Sequence, residues 1–183
     1  MSEKISWDEL ETSPLTKKHN LSSFNSSSFE LNDFLKDDAL INQEHLLNRS
    51  YVCFFKSRMI GFFTLTTDTI TAKAVSKSDG FNNYKYAKYP AIKIARLAVD
   101  KRCERRGVGT HLLFAAIGIA LSISEHVGCR YITVDSKKKS VNFYEKYNFA
   151  IVKTRKDMDF IPMYLNMYPV IKEMRPVESL NDW

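Results

Sequence analysis

The chain has 183 residues, of which 44% are hydrophobic and 26% are charged, so it can bury a sizeable core and is too apolar to be disordered throughout. Its formal net charge of +6 is typical of proteins that bind nucleic acid or phosphorylated cofactors, and equally of basic proteins that are merely soluble. The three cysteines include no C-x-x-C pair, which argues against a disulfide framework or a zinc site, and we expect no metal.

The first half of the chain alternates short apolar runs with polar turns. Lys18–Phe24 is predicted to be a short first strand. Glu30–Gln43 carries apolar residues at roughly helical spacing behind a serine-rich candidate N-cap, which predicts a helix. Tyr51–Lys56 and Met59–Thr71 are rich in aromatic and β-branched residues, which favours two strands of a hairpin with its turn at Ser57-Arg58.

The second half of the chain predicts a strand, a long helix and another strand in succession. The strand is Ala91–Asp100, the helix is Val108–His126 and the second strand is Tyr131–Asp135, after a polar loop at 72–89. This order implies two parallel strands joined by a crossover helix, whereas the earlier hairpin is antiparallel. A short helix and two late strands follow: Ser140–Tyr147, Phe149–Thr154 and Phe160–Met167.

Together these elements predict one domain of the α/β (α+β) class. The domain spans 1–183 with its core at about 18–167, and helices flank a mixed central sheet. The first ten residues are polar and acidic, unlike a signal peptide, and the longest apolar run, Leu112–Ile123, is too short to cross a bilayer. We therefore expect a cytoplasmic protein with no membrane partner.

The stretch RLAVDKRCERRGVG, from Arg96 to Gly109, combines a strand end, a basic turn and two glycines at the start of the long helix. Backbone N–H groups at a helix N-terminus attract anions, and glycine lets the backbone approach a phosphate closely. Arg102, Arg105 and Arg106 add positive charge. A tight turn with a solvated basic loop accounts for the same spacing, and the third glycine of the dinucleotide fingerprint is missing.

This run resembles the pyrophosphate-binding motif [QR]-x-x-G-x-[GA] of the GNAT acetyltransferases. The glycines of the motif match Gly107 and Gly109, while Glu104 stands where glutamine or arginine is usual. A second resemblance lies downstream, where SVNFYEKYNF is similar to the A-x-x-[LF]-Y-E-K-x-G-F motif of the same family. Here Asn148 replaces the usual glycine, and asparagine also tolerates a left-handed backbone.

The resemblance implies a GNAT-like domain in which strands 91–100 and 131–135 splay apart around acetyl-CoA. It implies direct acetyl transfer to a primary amine, with Tyr144 protonating the leaving thiolate as general acid. Backbone groups of Leu97 and Val99 would pair with the pantetheine arm, and amides from Arg105 to Thr110 would hold the pyrophosphate. The implied cofactor-binding residues are Leu97, Ala98, Val99, Arg105, Arg106, Gly107, Val108, Gly109, Thr110, Lys137 and Asn142.

The N-terminal third is similar to a toxin-like branch of the superfamily. The runs FELNDFLKDDA, ARLAVD and VDSK match the helix, the fourth strand and the following strand of that branch. Its members acetylate the α-amine of aminoacyl-tRNA, and are typically homodimers paired with a DNA-binding antitoxin. A tRNA is a dense polyanion, so Lys93, Arg96 and Lys138 are candidate contacts to it, although solvated charges have the same appearance.

Three other functions remain open at this point. A GNAT enzyme for a small-molecule or protein amine shares every cofactor motif, and Asp68 or Asp79 would be its acceptor-side carboxylates. A non-catalytic acyl-CoA-binding or partner-binding module is favoured by Glu104 and Asn148, but the tyrosine and the paired glycines speak against it. A purely nucleic-acid-binding module lacks any zinc-finger, helix-turn-helix or aromatic RNA-binding signature.

Overall fold

The strands of the protein follow from its β-branched and aromatic runs, which fit a half-buried pleated surface. The computed structural model describes residues 3–153 and 159–174. Its strands are β1 (Leu10–Pro14), β2 (Arg49–Phe55), β3 (Arg58–Thr71), β4 (Lys88–Val99), β5 (Tyr131–Lys137), β6 (Ala150–Ile151) and β7 (Phe160–Asn166). Within the described residues they form one seven-stranded sheet in the order β1-β2-β3-β4-β5-β7-β6, which confirms the predicted mixed α/β class.

The helices carry the apolar residues that recur at helical spacing. They are α1 (Phe29–Asp33), α2 (Ala39–Glu44), α3 (Val108–Ile123), α4 (Val141–Glu145) and α5 (Tyr168–Met174). A π-helical turn, Phe34–Asp38, joins α1 to α2, so the helix predicted at Glu30–Gln43 is present but carries a wide turn in its middle. No helix in the described part of the chain combines the length and the apolarity needed to cross a membrane.

The N-terminal strand lies earlier than predicted. Lys18–Phe24 forms turns, and the strand that pairs antiparallel with β2 is β1, with Leu10 opposite Phe55. The carboxamide oxygen of Asn20 accepts hydrogen bonds from the backbone N–H and the hydroxyl of Ser22 at 3.0 and 2.7 Å. Such local side-chain bonds stabilise a turn in competition with a strand, which is why the prediction for this segment was wrong.

The β2–β3 hairpin was predicted correctly except for its turn, which lies one residue earlier. Lys56 and Ser57 form the turn with φ of 48° and 61°, and Phe55 pairs with Arg58. Two left-handed residues in a two-residue loop match the right-handed twist of the flanking strands.

Toward the C-terminus, the strand predicted at Phe149–Thr154 is shorter in the structure, where it forms β6. The last residue of the predicted strand, Thr154, lies outside the described ranges.

The described residues fall into two compact units. Of these residues, the first unit comprises 3–67 and 94–119, and the second comprises 68–93, 120–153 and 159–174. In the first unit, Phe62 packs edge-on against Phe24 and face-on against Phe34, with ring centroids 5.6 and 6.3 Å apart. The buried residues of this core cluster are Leu15, Phe24, Phe34, Leu35, Ala39, Val52, Met59, Phe62 and Ala98.

The second unit has a separate core built around tyrosines. Tyr131 packs edge-on against Tyr89 and Tyr164, with ring centroids 5.3 and 5.6 Å apart. Both Tyr131 and Tyr164 donate their hydroxyl protons to Asp79, at its carbonyl and its carboxylate respectively. Because buried tyrosine hydroxyls need partners, Asp79 allows these rings to be buried. The buried members of this cluster are Ile70, Ala74, Val75, Tyr89, Ala91, Tyr131 and Tyr164.

Gly61 allows α3 to pack directly on the backbone of the first unit. A Cβ at this position of β3 would stand 2.8 Å from Leu112 Cδ1 and 3.1 Å from the Ala98 carbonyl oxygen. The first distance is shorter than packed Cβ atoms show. The second is tighter than most Cβ contacts, and its neighbour is a backbone oxygen. The glycine therefore fixes how closely the N-terminal half of α3 approaches the strands.

We expect Gly61→Ala to lower the free energy of unfolding by about 1–3 kcal/mol, because the added methyl group must displace α3 from the strands. Gly118→Ala is the matched control, since Gly118 lies in the same helix with no atom within 4 Å of the added Cβ. The control should stabilise the protein by up to about 1 kcal/mol through helix propensity. Urea unfolding of both variants measures the two changes in unfolding free energy. Equal changes would contradict the close approach of α3 to Gly61.

Candidate active site

The end of β4 is fixed by Asp100, whose side chain is only 1% exposed. Its Oδ1 accepts from the backbone N–H and the Nε of Arg102 at 3.0 and 2.7 Å, and its Oδ2 accepts from the Asn25 N–H at 3.0 Å. Burial by itself raises the pKa of this carboxyl, but the hydrogen bonds from Arg102 and Asn25 outweigh burial and hold the pKa below its ordinary value. Asp100 is therefore ionised at neutral pH and ties residues 25 and 102 together.

The loop from Asp100 to α3 passes through two left-handed residues. Arg105 has φ of 60° and Gly107 has φ of 88°. A Cβ on Gly107 would meet no atom within 4 Å, so the backbone angle, and not the space, requires glycine there. α3 then begins at Val108, which is fully buried, so Val108 can offer a ligand only its backbone. The N–H groups of a first helical turn have no partner within the helix and attract anions.

The charged residues of this loop differ in their partners. The guanidinium of Arg102 pairs with Asp100 and donates to the Ser23 carbonyl at 2.7 Å, so its charge is compensated within the protein. Arg105 is exposed, whereas the Nε of Arg106 donates to the Glu3 carbonyl at 2.9 Å. The Glu104 carboxylate accepts from the Ser27 hydroxyl at 2.6 Å. The residue that departs from the expected motif therefore has a hydrogen-bond partner within the first unit.

Preceding this loop, β4 alternates its side chains. Ala98 is buried in the core cluster of the first unit, while Leu97 and Val99 are half-buried and point to the opposite face of the strand. Arg96 stacks its guanidinium over the Phe34 ring at 4.7 Å from the centroid and donates to the Ala95 carbonyl at 3.0 Å. The π-helical turn begins at Phe34, so the stacking fixes Arg96 against that turn.

Tyr144, in the second unit, is held at the C-terminal end of α4. The Phe149 N–H donates to the Tyr144 carbonyl at 3.2 Å and the Asn148 N–H donates to the Glu145 carbonyl at 3.0 Å. Asn148 has φ of 64°, as the sequence predicted for the residue in the place of glycine. These features define a Schellman motif, and the usual hydrophobic contact across it is the edge-on packing of Tyr144 against Phe149 at 5.4 Å.

The environment of Tyr144 keeps its hydroxyl protonated. The side chain is 6% exposed and also packs edge-on against Phe143, with ring centroids 5.1 Å apart. Burial raises the pKa of Tyr144 well above its ordinary value. A phenol in this setting is neutral at physiological pH and has a proton to donate.

Comparison with known proteins identifies the family. Residues 32–167 match the acetyltransferase (GNAT) domain. The chain belongs to that family. It is an acetyltransferase with acetyl-CoA as its co-substrate.

Individual relatives agree with the family. A tRNA-acetylating toxin of Mycobacterium tuberculosis (strain ATCC 25618 / H37Rv) is 32% identical over 135 residues, which cover 73% of this chain and 80% of the relative. Among solved structures, AtaT complexed with acetyl-methionyl-tRNAfMet is 21% identical with a TM-score of 0.81, over 91% of this chain and 99% of AtaT. A mutant of KacT is 20% identical with a TM-score of 0.79, over 91% of this chain and 99% of the KacT chain. The two structural likenesses show the fold.

The remaining predicted site residues are more exposed than Tyr144, and three of them lie near it in the sequence. Lys137 is half-buried at the end of β5, Lys138 is exposed in the turn that follows, and Asn142 is exposed on α4. Lys93 pairs with Asp135 at 2.5 Å, so part of its charge is already compensated.

The carboxylates considered for a small-amine acceptor are engaged inside the second unit. Asp79 accepts from the hydroxyls of Ser76 and Tyr164 at 2.7 and 2.8 Å, and Asp68 accepts from the hydroxyl of Thr133 at 2.5 Å. Burial raises the pKa of Asp79, but its hydrogen bonds outweigh burial and hold the pKa below its ordinary value. Both residues therefore have structural partners. In the described ranges, no group of three or more His, Cys, Asp or Glu is arranged to hold a metal.

Sequence reasoning missed the residues that support the loop. Asp100 accepts from the N–H two residues later, the pattern of an N-cap, and a carboxylate followed by a short polar turn was the available signal. Its second partner, Asn25, lies 75 residues away, and Asn32 holds the same segment by accepting from the Ser26 N–H at 2.8 Å. No local sequence pattern predicts a contact between residues 75 positions apart.

We expect Asp100→Asn to destabilise the protein by about 1–3 kcal/mol at pH 7, because Arg102 loses its buried anionic partner. The folded-state pKa of Asp100 is lowered, so its contribution is complete above the ordinary carboxyl pKa of about 3.9 and is lost as the pH falls through the folded-state value. The difference in unfolding free energy between wild type and variant should therefore narrow below about pH 4.

Asp135→Asn is the control for this experiment, because it breaks an exposed ion pair with Lys93 and should change stability by less than about 1 kcal/mol. Urea unfolding from pH 7 to pH 2.5 gives the comparison. A difference for Asp100→Asn that stays constant over this range would show that its charge is not what stabilises the loop.

Proposed function

We propose that this acetyltransferase moves the acetyl group of acetyl-CoA to the α-amine of aminoacyl-tRNA and so inhibits translation as a toxin. The observation that carries the proposal is its relative, named a tRNA-acetylating toxin, which is 32% identical along 80% of that protein's length. The runs ARLAVD and VDSK, at the ends of β4 and β5, resemble the toxin-like branch and agree with this relative.

The loop of the first unit supplies the cofactor contacts. Backbone amides from Arg105 to Thr110 bind the pyrophosphate at the N-terminus of α3, where a helix favours negative charge. The exposed Arg105 and the Nη groups of Arg106 add cationic donors. Leu97 and Val99 pair their backbone groups with the pantetheine arm, and Lys137 and Asn142 complete the cofactor contacts.

The chemistry requires one proton donor. The acceptor nitrogen attacks the thioester carbonyl carbon, the carbon–sulfur bond breaks, and the electron pair leaves with the sulfur. Tyr144 donates its hydroxyl proton to that thiolate, and the proton lost by the new amide passes to solvent. Burial raises the pKa of Tyr144, which keeps the phenol protonated but also makes it a weaker acid. Proton donation therefore requires the hydroxyl to lie within hydrogen-bond distance of the leaving sulfur.

The chemistry of the acceptor explains how the reaction proceeds without an assigned general base. A free α-amine has a pKa of about 7.7–8.0, so an appreciable fraction is neutral near pH 7. Esterification of the neighbouring carboxyl group withdraws electrons and lowers the pKa further. The nucleophile is therefore present before the substrate binds, and the enzyme has to position it.

The proposed tRNA contacts are three basic residues of the described part of the chain. Lys138 is exposed, and Arg96 presents its stacked guanidinium beside Phe34. Lys93 would exchange Asp135 for a phosphate. We further propose a cytoplasmic homodimer that pairs with a DNA-binding antitoxin, because the sequence resembles toxins of that organisation.

Incubation with radiolabelled acetyl-CoA should label charged tRNA from a mixed pool, and should leave uncharged tRNA and a panel of small amines unlabelled. Digestion to the 3′-terminal nucleoside should place the label on the amino acid. Label on the small amines alone would retain the acetyltransferase and overturn the aminoacyl-tRNA acceptor.

We expect Tyr144→Phe to lower kcat by at least about 100-fold, because the thiolate loses its proton donor. The phenylalanine ring keeps the packing against Phe143 and Phe149, so the affinity for acetyl-CoA, measured by calorimetry, should stay within about twofold. A variant that retains wild-type kcat would remove the general-acid role.

A further inference from the structure

The N-terminal segment Glu3–Glu9, here called the N-terminal strap, lies against the loop that leads into α3. The Ile5 N–H donates to the Arg106 carbonyl at 3.0 Å, and the Arg106 Nε donates to the Glu3 carbonyl at 2.9 Å. Arg106 is therefore bonded to the strap through both its backbone and its side chain. Its guanidinium also stands 6.0 Å from the centroid of the Phe55 ring.

Two further contacts anchor the strap to the first unit. The Ile5 side chain is 4% exposed. The Trp7 ring packs edge-on against His111 and at a tilt against Phe114, with centroids 5.6 and 5.7 Å apart. His111 is fixed in turn, because its Nε2 lies 3.0 Å from the Thr12 hydroxyl. The strap therefore packs on the first two turns of α3 as well as on the loop.

We propose that the N-terminal strap positions the pyrophosphate-binding loop for acetyl-CoA. Arg106 lies between two left-handed residues, Arg105 and Gly107. A left-handed arginine is strained, and such a conformation persists only where its surroundings hold it. Asp100 holds the loop at its start, and the strap holds it at Arg106. Without the strap, the loop would be free to relax away from the geometry that aims its amides at an anion.

The bond to Glu3 also orients the Arg106 side chain. A guanidinium carries five N–H donors, and the Glu3 carbonyl occupies the one on Nε. The Nη groups are therefore directed by the strap, and a bidentate contact to phosphate depends on this orientation. This inference rests on the proposed binding of pyrophosphate at the loop. It assigns the strap residues a positioning role, because the contacts described above join them to Arg106 and to α3.

The test replaces Ile5 by proline, which removes the N–H that donates to Arg106. Ile5→Val is the conservative variant, since it keeps both the N–H and an apolar side chain. Calorimetry should show acetyl-CoA binding about tenfold weaker for Ile5→Pro and within about twofold of wild type for Ile5→Val. This measurement needs no acceptor, so it tests the strap whether or not aminoacyl-tRNA is the substrate.

A second donor separates positioning from general damage. Acetyl-pantetheine lacks the pyrophosphate, so Ile5→Pro should transfer its acetyl group to aminoacyl-tRNA as fast as the wild type does. With acetyl-CoA, the same variant should show a raised KM and an unchanged kcat. Equal losses with both donors would mean that the strap only supports folding, and unchanged acetyl-CoA affinity would mean that it does not act on the loop. Either result overturns the proposal.

Trp7 provides a variant that leaves the loop backbone intact. Trp7→Ala removes the packing against His111 and Phe114, and should raise the KM for acetyl-CoA about threefold with kcat unchanged. Trp7→Phe keeps an aromatic ring and should recover most of the loss. A KM for Trp7→Ala equal to that of the wild type would contradict the role of the strap.

Discussion

A buried carboxylate at the end of β4 is the constraint on which the loop entering α3 depends. Asp100 is almost completely excluded from solvent. Its charge is balanced by the Arg102 guanidinium and by the backbone N–H groups of Arg102 and Asn25. Leaving such a charge without partners costs several kcal/mol, so the residues around it have little freedom to move. The strand end, the turn at Lys101–Cys103 and the segment before α1 are thereby locked into one arrangement.

Two helix ends, one in each unit, offer different chemistry. The N-terminus of α3 offers N–H groups and a favourable dipole to an anion. The C-terminus of α4 is closed by a Schellman motif that satisfies the Tyr144 carbonyl and packs the tyrosine ring against Phe149. In the first unit, the start of α3 therefore favours an anion. In the second unit, the end of α4 holds a neutral phenol in an apolar setting.

The sequence predicted what depends on local pattern. The hairpin of β2 and β3, the long helix α3 and the strand at β5 follow from residue periodicity, and the left-handed Asn148 follows from its place in a motif. The family match over residues 32–167 confirms the resemblance on which the site was predicted.

Several contacts of the loop residues were not predicted from the sequence. Arg102 was counted as a phosphate-binding charge, but Asp100 already compensates it. Glu104 was counted as a defect in the motif, but its carboxylate accepts a hydrogen bond from the Ser27 hydroxyl, 77 residues away. The π-helical turn has no period that distinguishes it from an α-helix, and the N-terminal strap has no motif at all. The contacts of Ser27 with Glu104 and of Glu3 with Arg106 join residues that sequence spacing cannot relate.

Amide hydrogen exchange with and without acetyl-CoA tests the central claim most directly, which is that the loop entering α3 holds the cofactor. The account predicts that acetyl-CoA slows exchange at the amides of residues 105–110, while the amides of residues 23–26, already held by Asp100 and Asn32, change little. Slower exchange elsewhere in the chain, with residues 105–110 unaffected, would contradict the account.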